Sequence, residues 1–281
     1  MNKNRYEITN TAGEVIHEIS LIKDDFEETL IELDPYGYLL KKSIELSLQL
    51  TKIKLIGLSV ISCDLSNINL EGANLTDSSF SYSKFNNANL AKSKLICTDL
   101  YGAELNETRL TESNLTAAQL TKASLQNADL QGAYLVNTSF CDSNLSGANL
   151  QGANLTGADL SDANLTNCNL REANLQGAII DRANLSGCSL IKTNFVGASM
   201  LGTNLTSTTI KNIAFSSSEL EHCIFGELER VQIESQLASY LQITKELSGA
   251  SGFEIDKIEW LNRKYGSTSS ERIGKLINAL N

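Results

Sequence analysis

From Val60 to Phe225 every fifth residue is a large apolar one, and the frame never slips. The 34 positions hold 24 Leu, six Phe, two Ile, one Val and one Met. Two residues before each stands a small residue. Between 58 and 223 only Leu58, Ile68 and Ile213 depart from Ala, Ser, Thr or Cys at that place. The residue between the two is most often Asn or Asp, as in Ala73-Asn74-Leu75 and Ala158-Asp159-Leu160. A helix turns about 100° per residue, so a period of five would smear its leucines around the whole circumference. A flat strand alternates with period two and would place successive leucines on opposite faces. The chain must therefore turn a corner once per repeat. Four corners close a square coil of 20 residues with a leucine pointing inward from each side, and stacked coils then pair their backbones about 4.8 Å apart.

The remaining positions agree with such a coil. Small residues are expected to point inward near the corners, where two bulky side chains cannot lie side by side, with Ser, Thr and Cys bonding the turning backbone. Asn and Asp suit the turns because they tolerate unusual backbone angles and bond locally. Proline is absent from the repeats, where nearly every amide is needed for the ladder, and the chain's single proline, Pro35, lies outside them. Leu58, Ile68 and Ile213 sit near the two ends, where the coil merges with whatever covers it.

Runs such as Ala148-Asn149-Leu150-Gln151-Gly152-Ala153-Asn154-Leu155-Thr156-Gly157-Ala158-Asp159-Leu160 resemble the pentapeptide-repeat family. The resemblance implies that family's fold, an all-β solenoid in the form of a right-handed quadrilateral β-helix. With four repeats per coil, the 34 repeats imply about 8.5 coils and a rod roughly 40 Å long. The Leu-rich, uninterrupted style is most similar to members from cyanobacteria and related bacteria, most of them without an assigned biochemical role and a few acting through protein partners.

The ends read differently, which divides the chain into residues 1–57, 58–225 and 226–281. A solenoid must cover its terminal coils, or their open edges pair with other molecules. Arg5–Thr9 and Glu14–Ile19 flank Asn10-Thr11-Ala12-Gly13 and predict a β-hairpin. Tyr38 to about Leu50 predicts a helix with Leu39, Leu40, Ile44 and Leu48 at workable spacing. Hairpin and helix together suit an N-terminal cap. After Phe225 three helical stretches follow, about Glu227–Leu247, Phe253–Tyr265 with Trp260, and Ser269–Leu280. Thr268 and Glu271 resemble a capping box for the last. These helices suit a cap, a homodimer contact or a partner-binding bundle.

Composition narrows the function. The net charge is −10, split as −3, −6 and −1 over the three segments, which argues against nucleic acid and anionic membranes as partners. No apolar stretch is long enough to span a bilayer, and the polar N-terminus lacks the apolar core of a signal peptide, so a cytoplasmic location is expected. Cys63, Cys168, Cys188 and Cys223 take the small inward place. Cys168 and Cys188, 20 apart, stack on neighbouring coils within disulfide distance, but parallel Cβ vectors suit a disulfide poorly and two buried thiols in a reducing compartment are expected. Cys97 and Cys141 face outward. His17 and His222 stand alone, and no metal or other cofactor is expected.

A filled axis, a convex surface and a frame without insertions leave no place for a catalytic pocket, so the chain is not expected to be an enzyme. It is expected to be a protein–protein interaction scaffold with an unidentified protein partner. Among the outward residues, Ile96, Val136 and Val196 fall in one column because their numbers differ by multiples of 20, with Thr76, Thr116 and Thr156 between. Tyr101 and Leu201 belong to a neighbouring outward column and would extend the patch, and Trp260 in the C-terminal helical region is a further candidate partner contact. The family resemblance supplies an alternative, mimicry of duplex DNA toward DNA gyrase or another topoisomerase, of the quinolone-protecting type. Mimicry requires ordered negative charge. Here 15 acids and nine bases are scattered through the repeats, and Lys84, Lys92 and Lys94 lie close together where a mimic should be acidic.

Overall fold

The computed structural model describes residues 3–10, 15–22, 40, 50–214 and 223–224. Every centre residue from Val60 to Ile210 is buried, most with no exposure at all, and together they fill the axis. The small residues two places earlier are buried beside them. Aromatic centres pack by the same rule: the Phe80 and Phe85 rings meet edge to face, 5.3 Å apart.

The stacking period is direct. Bridges run in parallel from Lys54 to Asn74, from Asn74 to Lys94 and onward to the pair Asn204 and Ile224, every link 20 residues long. Two rungs are regular enough to form short strands. They pair Ser189–Ile191 with Thr209–Lys211 in the same register. This is the square coil that the repeat predicts, in the right-handed quadrilateral β-helix that the family resemblance implies.

An account of the five amides of one repeat explains the residue at each place. The Leu75 amide donates to Lys94 O in the next coil at 2.7 Å, and the Asp77 amide to Ile96 O at 2.9 Å. The Asn74 amide donates back to Ile53 O at 2.7 Å, and the Ser78 amide closes the corner onto Leu75 O at 3.3 Å. The fifth amide, on Thr76, has no backbone acceptor. It donates to Asn74 Oδ1 at 3.2 Å. The same side-chain bond recurs at Tyr101 to Asp99, Thr116 to Asn114 and Ser161 to Asp159. Asn and Asp thus precede the central leucine because their side-chain oxygen satisfies the one amide the ladder leaves over.

That refines one expectation. The unusual backbone angle falls not on the Asn or Asp just before the leucine but two places after it, where every fifth residue from Lys52 to Asn212 has φ between +53° and +75°, and nine of these, from Asn67 to Asn212, are themselves Asn or Asp. Most corners carry a hydrogen bond across them, such as Ala73 N to Leu70 O, and are type II turns, whereas the Leu58 and Cys63 amides donate to Ser78 Oγ and Ser83 Oγ of the next coil. Twenty-two of these corner residues are not glycine, and each carries a left-handed strain of about 1 kcal/mol. Ala117, at φ +58°, is therefore an alanine in a glycine place. Ala117→Gly is expected to raise stability by a few tenths of a kcal/mol, the relieved strain outweighing the added freedom of the unfolded chain. Gly152 has φ +66° and open space around it, so Gly152→Ala is expected to cost about 1 kcal/mol from backbone strain alone. Paired denaturant titrations with opposite signs verify this. Equal signs refute it.

Hydroxyls and thiols in the small place bond the backbone as expected. Ser78 Oγ donates to Leu55 O at 2.9 Å and Thr138 Oγ1 to Leu115 O at 2.7 Å, both tying one coil to the one before. Cys168 and Cys188 do the same with Sγ, onto Leu145 O and Leu165 O. Both are free thiols, and the neighbouring Cys188 together with burial pushes the Cys168 thiol far above its ordinary range.

At the N-terminal end, β1 (Lys3–Asn10) and β2 (Val15–Ile22) form an antiparallel hairpin with an irregularity at Ile8 and Thr9. β1 also pairs antiparallel with β3 (Ile53–Lys54), Thr9 opposite Lys54 and Asn10 opposite Ile53. The hairpin therefore lies against the first rung of the ladder. The helix expected up to Leu50 and the three after Phe225 fall outside the described residues.

Candidate docking faces

Each side of the coil shows two outward columns, the residues just before and just after the central one, and each corner adds a third. On the side centred on Leu55, Leu75 and Leu95, the first column reads Lys54, Asn74, Lys94, Asn114, Tyr134, Asn154, Asn174, Asn194. The second reads Ile56, Thr76, Ile96, Thr116, Val136, Thr156, Gln176, Val196. Neither contains an acid. The flat columns of the three other sides each do, for example Asp99 and Asp159, Asp64 and Glu104, or Glu71 and Asp129.

The threonines of this face are fixed. Thr76, Thr116 and Thr156 each donate Oγ1 to the Asn two places earlier, at 2.7, 2.7 and 2.6 Å. With the hydroxyl held sideways, threonine offers a hydrocarbon surface between the Ile and Val side chains. Ile96, Val136 and Val196 do share the column, half-buried, with Ile56 extending it at 48% exposure. They do not touch one another: Thr116 separates the first two, and Thr156 with Gln176 separates Val196 from Val136. Tyr134, 54% exposed, stands beside Val136 and was not visible as part of the face, because Tyr reads as easily as a buried residue.

Tyr101 and Leu201 share a column but lie five coils apart, about 24 Å, and form no common patch. Tyr101 instead meets the Tyr82 ring edge to face at 5.4 Å, with Lys122 Nζ 5.9 Å over its own ring. Leu201 is exposed next to Asp181, whose Oδ1 accepts its amide. Trp260 lies outside the described residues.

Three ion pairs join successive coils. Arg182 clamps Asp162 with two bonds, at 2.8 and 2.6 Å, and Lys192 meets Glu172 at 3.1 Å. Lys84 meets Glu104 at 3.4 Å. All three pairs are 20 residues apart in the chain. At Asp99 burial opposes ionisation, but the Ser81 and Ser79 hydroxyls and the Tyr101 amide together hold its carboxyl below the ordinary range. Outward Cys141 is shifted up by burial and by Asp159, which makes it a poor nucleophile. Among the described residues no cluster of His, Cys, Asp and Glu could hold a metal ion, and no helix is long and apolar enough to cross a membrane.

The lysines regroup in three dimensions. Lys84 is paired on another side of the coil, whereas Lys92 and Lys94 stack two coils above Lys52 and Lys54. The signal was present in the chain as a Lys-x-Lys repeated 40 residues apart, but its first copy lies upstream of the recognisable repeats.

A family model described as pentapeptide repeats matches in eight copies, over residues 55–91, 93–132, 123–162, 148–187 and 183–221. Among solved structures, the chain is similar to HetL, a pentapeptide repeat protein involved in heterocyst differentiation regulation in the cyanobacterium Nostoc sp. strain PCC 7120. The identity is 25%, over 62% of this chain and 91% of that one, with a TM-score of 0.37. It is also similar to QnrB1, a plasmid-mediated fluoroquinolone resistance protein, at 18% identity over 65% of this chain and 88% of that one, with a TM-score of 0.36. A pentapeptide repeat protein of the Arabidopsis thaliana thylakoid lumen is 27% identical over 46% of this chain and 73% of its own, with a TM-score of 0.26. No curated protein matches.

Proposed function

The chain belongs to the pentapeptide repeat family, and from that premise we propose that it is a non-enzymatic scaffold binding another protein on the side bearing Ile96, Val136 and Val196. One observation carries the reading: this side alone has no acid in its flat columns, in a chain of net charge −10. Its β-branched side chains are held by the ladder, so docking against them costs little side-chain entropy. Ile56 and Tyr134 belong to the same surface. The Tyr101 and Leu201 positions are separate minor contacts, and Trp260 marks a second contact or a homodimer seam in residues 226–281.

The finer architecture goes with this reading. About 8.5 coils make the rod, residues 1–57 cover its first coil, and the C-terminal helices cover its last. A cytoplasmic setting fits the six free thiols, which stay reduced there.

DNA mimicry toward gyrase or a topoisomerase has less support. A phosphate-like array needs uncompensated charge in rows, and the pairs Asp162 with Arg182, Glu172 with Lys192 and Glu104 with Lys84 interrupt it.

Affinity capture from source-cell lysate tests the scaffold, using the full chain, a truncation ending at Phe225, and the triple variant Ile96→Asn, Val136→Asn, Val196→Asn. The expected result is a partner recovered by the first two and at least tenfold depleted with the third. Recovery that requires residues 226–281 moves the function to the helices and makes the rod a spacer. Recovery of nothing above background by any form ends the proposal.

A further inference from the structure

We propose that the corner formed by Lys52, Lys54, Lys92 and Lys94 is a docking site for a short acidic polypeptide segment of a partner protein. The inference rests on the scaffold reading and gives the partner a chemistry.

The ladder assembles the site. Lys54, Asn74 and Lys94 are successive rungs of one column, bridged in parallel. Lys52, Gly72 and Lys92 are successive residues of the adjoining corner column, all with left-handed backbone. Two lysines from one coil therefore face two from the coil two levels on, about 10 Å apart along the rod. Gly72 and Asn74 form the floor between them. Glycine suits that place by contact as well as by φ, because a Cβ at residue 72 would come within 3.2 Å of Lys52 Cγ. The stem of Lys52 lies across that glycine, toward Lys92.

Among the described residues none of the four ammonium groups is paired. Salt bridges take up Lys84, Arg171, Arg182 and Lys192 elsewhere on the rod, but not these. Among the described residues of the rod, the acids beside the site are Glu71, directly before Gly72, and Glu112, next after Lys92 in the corner column. Glu71 Oε2 is engaged, accepting from Asn89 Nδ2 at 3.2 Å. A further donor is open on the floor. Where asparagines stack, the upper Nδ2 donates to the lower Oδ1, as from Asn89 to Asn69 and from Asn169 to Asn149. Asn74 has Lys54 beneath it instead, so its Oδ1 is used by Thr76 while its Nδ2 finds no such acceptor.

Four cations and an amide donor, against the single carboxylate of Glu71, select an anion. The extent of the site selects the kind. In an extended peptide, carboxylates two residues apart recur about every 7 Å, so two of them fit across the span of the lysine pairs. A nucleic acid continues past the site with a charge at about every 1.7 Å of duplex axis, and must then run along a chain of net charge −10. Beyond Lys92 the corner column itself turns acidic at Glu112. The site also adjoins Ile56 and Ile96, two places after Lys54 and Lys94, so a segment held here is continuous with the uncharged docking face.

Fluorescence anisotropy with a fluorescein-labelled hexaglutamate peptide tests the site on the full chain. The expected result is saturable, salt-weakened binding that falls at least tenfold in the variant Lys52→Gln, Lys54→Gln, Lys92→Gln, Lys94→Gln. The double variant Lys92→Gln, Lys94→Gln is expected to fall between the two. Lys84→Gln with Lys192→Gln, at the paired lysines, is expected to bind as the parent does. Binding that is unsaturable, or that ignores all four lysines, overturns the proposal. Tighter lysine-dependent binding of a labelled hexathymidylate, or of phosphatidylserine vesicles, overturns the assignment to a polypeptide. If the peptide fails while the Ile96, Val136, Val196 variant still loses its captured partner, the scaffold stands and only this corner falls.

Discussion

Excision of residues 141–160 is expected to leave a rod that folds and melts cooperatively, while deletion of Ser146 alone is expected to destroy the fold beyond it. The bridges explain the difference, since each joins residues 20 apart. After the 20-residue excision Ser161 takes the place of Cys141, and every column continues with its own kind of residue. Solenoid stability is close to a sum over repeats and their interfaces, so the loss is about one coil's share. Deleting one residue moves the frame by one fifth of a side. A side of four residues cannot hold two inward residues, a rung and a type II corner, and a missing residue cannot be looped out as an extra one can. Leu150, Leu155 and Leu160, fully buried in the parent, would leave the axis at about 1.5–3 kcal/mol each. Three such losses already reach the range of a domain's whole stability. Circular dichroism melts of the two deletions decide it. Equal damage from both shows that the coil is not the unit.

Leu130→Asp is expected to end melting of the rod as one unit. Leu130 is 0% exposed in the middle of the axis, and its amide donates to Asn149 O at 2.8 Å. The substitution forfeits about 1.5–3 kcal/mol of burial and places a charge without a partner in a dry column, a further penalty of several kcal/mol. Leu130→Ala supplies the scale, at about 2–5 kcal/mol, because it opens a cavity without adding charge. At pH 7 calorimetry should show the aspartate variant with two weak transitions or none, and the alanine variant with one lowered transition. The aspartate's folded pKa would be raised above its unfolded value, so the variant regains part of its stability as pH falls and the carboxyl neutralises. A single transition within a few degrees of the parent's would show that water reaches the axis.

Much of this was legible from the chain. The inward places depend only on size and polarity, so Leu130 or Ala133 could be assigned by counting in fives. The role of Asn was half legible. Its local bonding was foreseeable, but its use for the fifth amide appears only when all the donors are counted. Corner strain was illegible, because left-handed residues include Tyr82, Arg182 and Glu172, which no turn propensity would select. Stacking forces them. Docking features were the least legible, because they depend on which residues lie 20 or 40 apart. Ile96 and Val136 could be aligned by arithmetic, while Lys52 and Lys54 precede the recognisable repeats and needed the observed ladder to join them to Lys92 and Lys94.

The constant 20-residue reach of the ladder also bears on how fast such a chain can find its structure. Sheets ordinarily form slowly because distant segments must meet, at an entropic cost that grows with the loop between them. Here every closure spans the same short loop, from the pairing of Lys54 with Asn74 to that of Asn204 with Ile224. The first coil to close bears the cost of a start, and each later one adds to a finished edge. A rod twice as long would contain no longer-range contact than this one. In its kinetics the protein is expected to belong with helical bundles, whose contacts are local, although three of the five amides in a repeat bond between coils as those of a sheet do.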